Sequence, residues 1–127
     1  MTEKELHLAV CQYIKYQYPH IYFLSESGGI RVSKGLANTL AKLRSGTGLP
    51  DLVILYPNWK YKALMIELKV TSPFKKDGSL KKNEHIENQA RVLNDLCEMG
   101  YYARFSVGFE DTITMIDAYI KSDESKL

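Results

Sequence analysis

The stretch Gly48–Val70, GLPDLVILYPNWKYKALMIELKV, sets the architecture of the chain. Two apolar runs, Leu52–Tyr56 and Ala63–Val70, read as neighbouring strands joined by the turn-rich link Pro57-Asn58-Trp59-Lys60. Side chains alternate along the second run. Ala63, Met65, Glu67 and Lys69 face one side of the sheet, and Leu64, Ile66, Leu68 and Val70 face the other. An ionisable pair, Glu67 and Lys69, therefore projects from an otherwise apolar strand. Asp51 sits at the mouth of the preceding strand, just after Pro50. Charged groups converging on apolar strands are costly unless they are paired or hold a metal.

A hydrolytic metal site accounts for the convergence. Two carboxylates on adjacent strands, Asp51 and Glu67, suit Mg²⁺ or Mn²⁺, hard cations that take oxygen ligands. The Leu68 carbonyl, between Glu67 and Lys69, offers a third oxygen. Lys69 would hold or polarise the attacking water and offset charge on a phosphate. The plainer reading is a Glu-Lys pair on a half-exposed strand beside a turn aspartate. Gly48-Leu49-Pro50-Asp51 one strand upstream weighs against it.

Gly48-Leu49-Pro50-Asp51 followed by Glu67-Leu68-Lys69 resembles the signature of the PD-(D/E)XK nuclease superfamily. More narrowly it resembles the VRR-NUC domain, the virus-type replication-repair nuclease module found alone in phages and fused to larger repair enzymes. The likeness runs from Thr2 to Ile120. It implies metal-dependent cleavage of DNA phosphodiesters on a restriction-endonuclease-like α/β fold. It also implies a glutamate on the first helix, matched here by Glu3, and a glutamine on the helix after the Glu-x-Lys strand, matched by Gln89. Relatives carry an asparagine before a pair of glycines, where this chain has Ser27 before Gly28-Gly29. Standalone members resemble Holliday-junction resolvases that pair as homodimers.

Outward from this centre, the periodicity predicts a helix over Thr2–Tyr18, with Leu6, Ala9, Val10, Tyr13, Ile14 and Gln17 inward and Pro19 closing it. Thr2 and Glu5 make a capping box. Glu3, seven residues before Val10, lies at the end of the buried stripe, where a carboxylate can reach over the sheet edge; the alternative is a solvated first-turn glutamate favoured by the helix dipole. A short strand, Ile21–Ser25, leads into Glu26-Ser27-Gly28-Gly29. From Ile30 to Pro50 no residue is acidic, while Arg31, Lys34, Lys42 and Arg44 are basic. With Leu36, Leu40 and Leu43 at helical spacing, this is a short basic helix or loop placed to track a phosphate backbone. A solvated face is the alternative. Ser27 and Arg31 belong to the same expected nucleic-acid surface.

Thr71–Gly78, with Lys81 and Lys82 beyond, reads as a loop or hairpin tip, either a DNA-contacting flap or a surface loop. Asn83–Met99 is a second long helix, stopped by Gly100, with Ile86, Ala90, Leu93, Leu96 and Cys97 inward and Gln89 on the same face. Tyr101–Val107 is the last strand. Glu110–Ile120 is the last helix, with Ile113, Ile116 and Ile120 inward, and Lys121–Leu127 a polar tail.

At 127 residues the chain suits one domain, expected over 1–121 with a tail over 122–127. Apolar and charged fractions of 45% and 25% are those of an ordinary globule, and a net charge of +2 does not by itself announce nucleic acid. Cys11 and Cys97 lack metal-ligand spacing, which favours free thiols in a cytosol. His7, His20 and His85 share no spacing that suggests zinc. No membrane span, signal peptide or phosphate loop is visible, so no membrane and no nucleotide cofactor are expected.

The expected fold is α/β, a central mixed sheet of about four strands with helices packed on it. The expected activity is a metal-dependent deoxyribonuclease. Glu3, Asp51, Glu67 and the Leu68 carbonyl would hold Mg²⁺ or Mn²⁺, with Lys69 and Gln89 supporting catalysis. The partner is branched or duplex DNA, met as a homodimer in the cytoplasm of a bacterial or phage-infected cell. A catalytically silent DNA-binding or assembly protein and a sequence-specific restriction-type endonuclease are the competing readings.

Overall fold

The computed structural model describes residues 1–26, 33–45 and 48–122. Its elements, in chain order, are α1 (Glu3–Gln17), β1 (Phe23–Ser25), α2 (Lys34–Lys42), β2 (Leu52–Ile54), β3 (Leu64–Lys69), α3 (Glu84–Glu98), β4 (Tyr102–Val107) and α4 (Gly108–Lys121). The strands form one mixed sheet in the order β1-β2-β3-β4. The first two pairings are antiparallel, and β3–β4 is parallel. A parallel pair needs a crossover, and α3 supplies it. The fold is therefore α/β, as the alternation of runs and helical stripes predicts.

The alternation of β3 decides which helix packs on which face. Leu64, Ile66 and Leu68 join Leu6, Val10 and Ile14 of α1 and Ile116 and Tyr119 of α4 in the main core. Each side chain buried there contributes roughly 1.5–3 kcal/mol relative to exposure. Met65, on the other face, packs with Leu93 and Leu96 of α3 and Ala103 of β4. By the same parity Glu67 and Lys69 project toward α3. The sheet is thus sandwiched, and its charged pair belongs to the smaller of two apolar layers.

Helix ends follow local chemistry. Thr2 caps α1, and the reciprocal bonds between Thr2 and Glu5 are both 3.1 Å. Beyond α3, Gly100 (φ 102°) adopts the left-handed turn that L side chains avoid. Tyr101 N–H donates to Leu96 C=O, and Gly100 N–H to Cys97 C=O, each at 3.1 Å. Asp117 of α4 accepts from Tyr13 (2.7 Å) and Tyr18 (2.6 Å), tying α4 to α1.

Several sequence expectations need correction. Strand β2 ends at Ile54 rather than Tyr56, because the Tyr56 N–H turns back to the Ile54 carbonyl at 3.0 Å ahead of Pro57. Gln17 is exposed, and Tyr18 takes the inward place below it. Helix α4 starts at Gly108, two residues early, where the Asp111 carboxylate accepts the Val107 N–H at 2.8 Å. Its buried residues are Thr112, Ile116 and Tyr119, while Ile113 and Ile120 are half-buried. Thr112 can enter the core because its hydroxyl meets that of Ser106 at 2.7 Å. The basic stretch forms a helix, α2, on which Leu40 is half-buried and Leu36 and Leu43 are exposed. Cys11 and Cys97 are free thiols. Among the described residues, no helix is long and apolar enough to cross a membrane.

Candidate active site

Strand lengths create the site. The β2–β3 ladder stops at Leu52↔Ile66, whereas β3 continues alongside β4 to Lys69↔Val107. Past the end of β2 the Leu68 N–H has no ladder partner, and Asp51 Oδ2 accepts it at 3.1 Å. On the other side the Asp51 carbonyl accepts the Glu26 N–H at 2.7 Å. Asp51 is therefore fixed by its own backbone and by β3. Extending the register places it opposite Glu67.

The approach to Asp51 is equally constrained. Gly48 has φ 87°, and a Cβ built there would meet Arg44 Cδ at 3.1 Å. The positive φ is what favours glycine here, since the Arg44 side chain is flexible enough to give way to a Cβ. Pro50 is fully buried and fixes the chain just before the carboxylate.

Glu67 is 5% exposed. Burial, and then the neighbouring Asp51 carboxylate, push its carboxyl up to about 9, against the opposing pull of Lys69. Two carboxyl groups side by side in a partly dry site favour a shared proton, or a cation that replaces it. Lys69 makes no ion pair within 4.0 Å among the described residues. Its ammonium lies 5.9 Å from the centre of the Phe105 ring, and Phe74 packs edge-on to the same ring at 5.8 Å. An aromatic wall thus holds Lys69 beside the carboxylates without neutralising it.

These groups line one open cleft of about 360 Å³, together with Glu3, Glu26, Arg44, His85 and Gln89. Glu3 enters from the first turn of α1, across the end of the sheet. Gln89 enters from α3, and its Oε1 is buried with no hydrogen-bond partner among the described residues. The Thr71–Lys82 segment turns back on itself at the Phe74↔Leu80 bridge, and its Lys81 lines an adjoining pocket with Glu3, Lys69 and His85.

The expected nucleic-acid surface is only partly drawn in. Lys34 and Lys42 are exposed on α2. Arg44 is instead paired with Glu26 at 3.0 Å across the cleft mouth, so the basic stretch carries its own counter-charge there. Ser27 and Arg31, with Gly28-Gly29 and the tail over 123–127, lie outside the described residues.

His7 is a site residue that the sequence pattern did not single out. It is 6% exposed, with Nδ1 2.9 Å from Ser25 Oγ and Nε2 4.0 Å from Asp51 Oδ2. Donor atoms of Glu3, His7 and Asp51 lie within 4.8 Å of one another. The only signal in the sequence is its i+4 spacing from Glu3, which puts both on one helical face. Three carboxylates and, among the described residues, an imidazole and an amide without hydrogen-bond partners fit a divalent metal bound near Asp51.

Comparison with known proteins points the same way for the fold. No family model matches the sequence, and no curated protein does. A solved structure described as a VRR_NUC domain protein superimposes with a TM-score of 0.63, covering 95% of this chain and 89% of that one at 23% identity. The chain shares the VRR_NUC fold. The cleft lies where β2 ends and β3 runs on, and Glu3, Asp51, Glu67 and Gln89 all line it.

Proposed function

We propose that this chain is a divalent-metal-dependent DNA endonuclease that hydrolyses phosphodiester bonds. The observation that carries the reading is the meeting of Asp51, buried Glu67 and unpaired Lys69 at one end of the sheet in an open cleft. A surface that only binds has no use for two adjoining carboxyl groups whose ionisation is opposed. The resemblance of Gly48–Asp51 and Glu67–Lys69 to the VRR-NUC signature, and the shared fold, support the same reading.

In this proposal Glu3, Asp51, Glu67 and the Leu68 carbonyl hold Mg²⁺ or Mn²⁺. The bound ion supplies charge stabilisation for the phosphate and a more acidic water. Lys69, held against Phe105, keeps the attacking water in place and offsets charge that develops on the phosphate. Gln89 offers its unpartnered carbonyl to that water, orienting it. Lys34, Lys42 and Arg44, with Ser27 and Arg31, follow the DNA backbone. So small a domain favours recognition of backbone and shape over bases.

The substrate we propose is branched DNA of the Holliday-junction type, cut by a homodimer whose two-fold axis presents two sites to opposite strands. The setting is DNA repair or replication in a bacterial or phage-infected cell. Cleavage of linear, flap and four-way-junction DNA with Mg²⁺ or Mn²⁺, alongside sedimentation of the free protein, tests this. Preferred cutting of the junction by a dimer supports it, and equal cutting of all three by a monomer contradicts the finer reading.

A further inference from the structure

Among the described residues, His7 Nε2 is a dry polar atom without a hydrogen-bond partner, and it faces the Asp51 carboxylate. The residue is 6% exposed, and at 4.0 Å from Asp51 Oδ2 the nitrogen is too far away to donate a hydrogen bond. Leaving such an atom unpaired is costly, so the position calls for something between imidazole and carboxylate. The ring is already oriented. Nδ1 lies 2.9 Å from Ser25 Oγ, and that hydroxyl has the Glu26 carbonyl as its own acceptor at 3.5 Å. In the tautomer that donates Nδ1–H to Ser25, Nε2 presents a bare lone pair.

The spacing suits an ion. Donors around one dication with bonds of about 2.0–2.2 Å stand roughly 3–4.4 Å apart, and the His7–Asp51 gap falls in that range. Glu3, one helical turn before His7, brings a third donor, all three within 4.8 Å of one another. We infer that His7 Nε2 is a direct ligand of the cation held by Glu3 and Asp51, so that the site takes transition-metal dications such as Mn²⁺ in preference to Mg²⁺. Mg²⁺ takes oxygen donors, whereas imidazole nitrogen suits the transition metals. The inference rests on the metal-dependent function proposed for this cleft and adds a nitrogen to its oxygen ligands.

The test uses the full, untagged, metal-free chain titrated with Mn²⁺ and, separately, Mg²⁺. It reads calorimetric affinity and nitrogen coupling to Mn²⁺ by pulsed electron paramagnetic resonance. The chain has three histidines, so a His20→Gln/His85→Gln variant leaves His7 alone. That variant keeps the imidazole coupling if the inference holds. His7→Gln loses the coupling and weakens Mn²⁺ at least ~10-fold, with a smaller change for Mg²⁺. Should His7→Gln fail to fold, the wild-type and double-variant spectra still decide. Mn²⁺ binding without imidazole coupling, or with unchanged affinity in His7→Gln, overturns the inference while leaving a metal site of oxygens. Absence of binding by either metal overturns it together with the metal-dependent function.

Discussion

Asp51 Oδ2 accepts the backbone N–H of Leu68 at 3.1 Å, so the first carboxylate is fastened to the strand that carries the second. That bond exists because β2 stops one residue short of Asp51 and leaves the inner edge of β3 open. A strand end, the weakest part of a sheet, becomes a rigid mount for two acidic groups. The site is consequently sensitive to how those groups share protons.

The metal-free protein should lose stability as pH rises. Glu67 is raised from 4.5 to about 9 in the folded state, by burial first and then by Asp51. The folded protein therefore binds the proton more tightly, and the stabilisation is complete below 4.5 and lost as pH climbs through about 9. Thermal melts in chelator across a pH range of about 5–9.5 should fall for wild type by several degrees more than for Glu67→Gln, which has no proton to lose. Parallel curves would show that Glu67 ionises as freely as an exposed carboxylate.

Glu3 and Glu5 should part company. Glu5 is committed to Thr2, whose hydroxyl holds its carboxyl below the usual range, whereas Glu3 lines the cleft. Glu3→Gln should weaken metal binding at least ~10-fold with little change in melting temperature. Glu5→Gln should bind metal normally, since glutamine still serves the capping box. Calorimetry and melting of both variants check this. A metal defect in Glu5→Gln alone would reverse the assignment.

Arg44 should act through Glu26. Removing the arginine also exposes an acidic group at the cleft mouth. Arg44→Ala should weaken DNA binding, and Arg44→Ala/Glu26→Gln should recover much of the loss. Lys42→Ala, by contrast, should lower the salt slope of binding by about one unit, the share of a single neutralised phosphate. Binding isotherms at several salt concentrations separate the cases. A double variant as weak as Arg44→Ala would mean that the arginine meets phosphate directly.

The parity of the strands and the stripes of the long helices were legible in the sequence, though not every element end. Alternation in Leu64–Lys69 assigned Glu67 and Lys69 to one face, and the stripe of α1 together with its capping box placed Glu3 at the sheet end. What was not legible depends on partners distant in the chain. His7 looked solitary because Ser25 and Asp51, which orient and face it, come from later parts of the sheet. Arg44 read as free because Glu26 lies eighteen residues earlier, outside the basic run. The helical period of Leu36, Leu40 and Leu43 predicted α2, but it carried no information on what that helix faces.

Metal-dependent cleavage by wild type, Lys69→Ala and Asp51→Ala, measured side by side, is the decisive experiment for a nuclease built on this cleft. Wild type should nick DNA with Mg²⁺ or Mn²⁺, and chelation should stop it. Each variant should then lose at least ~100-fold in rate while keeping most of its DNA affinity, because these groups stabilise charge in the transition state. Cleavage that survives chelation, or equal rates in wild type and both variants, would contradict a metal-dependent site at Asp51, Glu67 and Lys69.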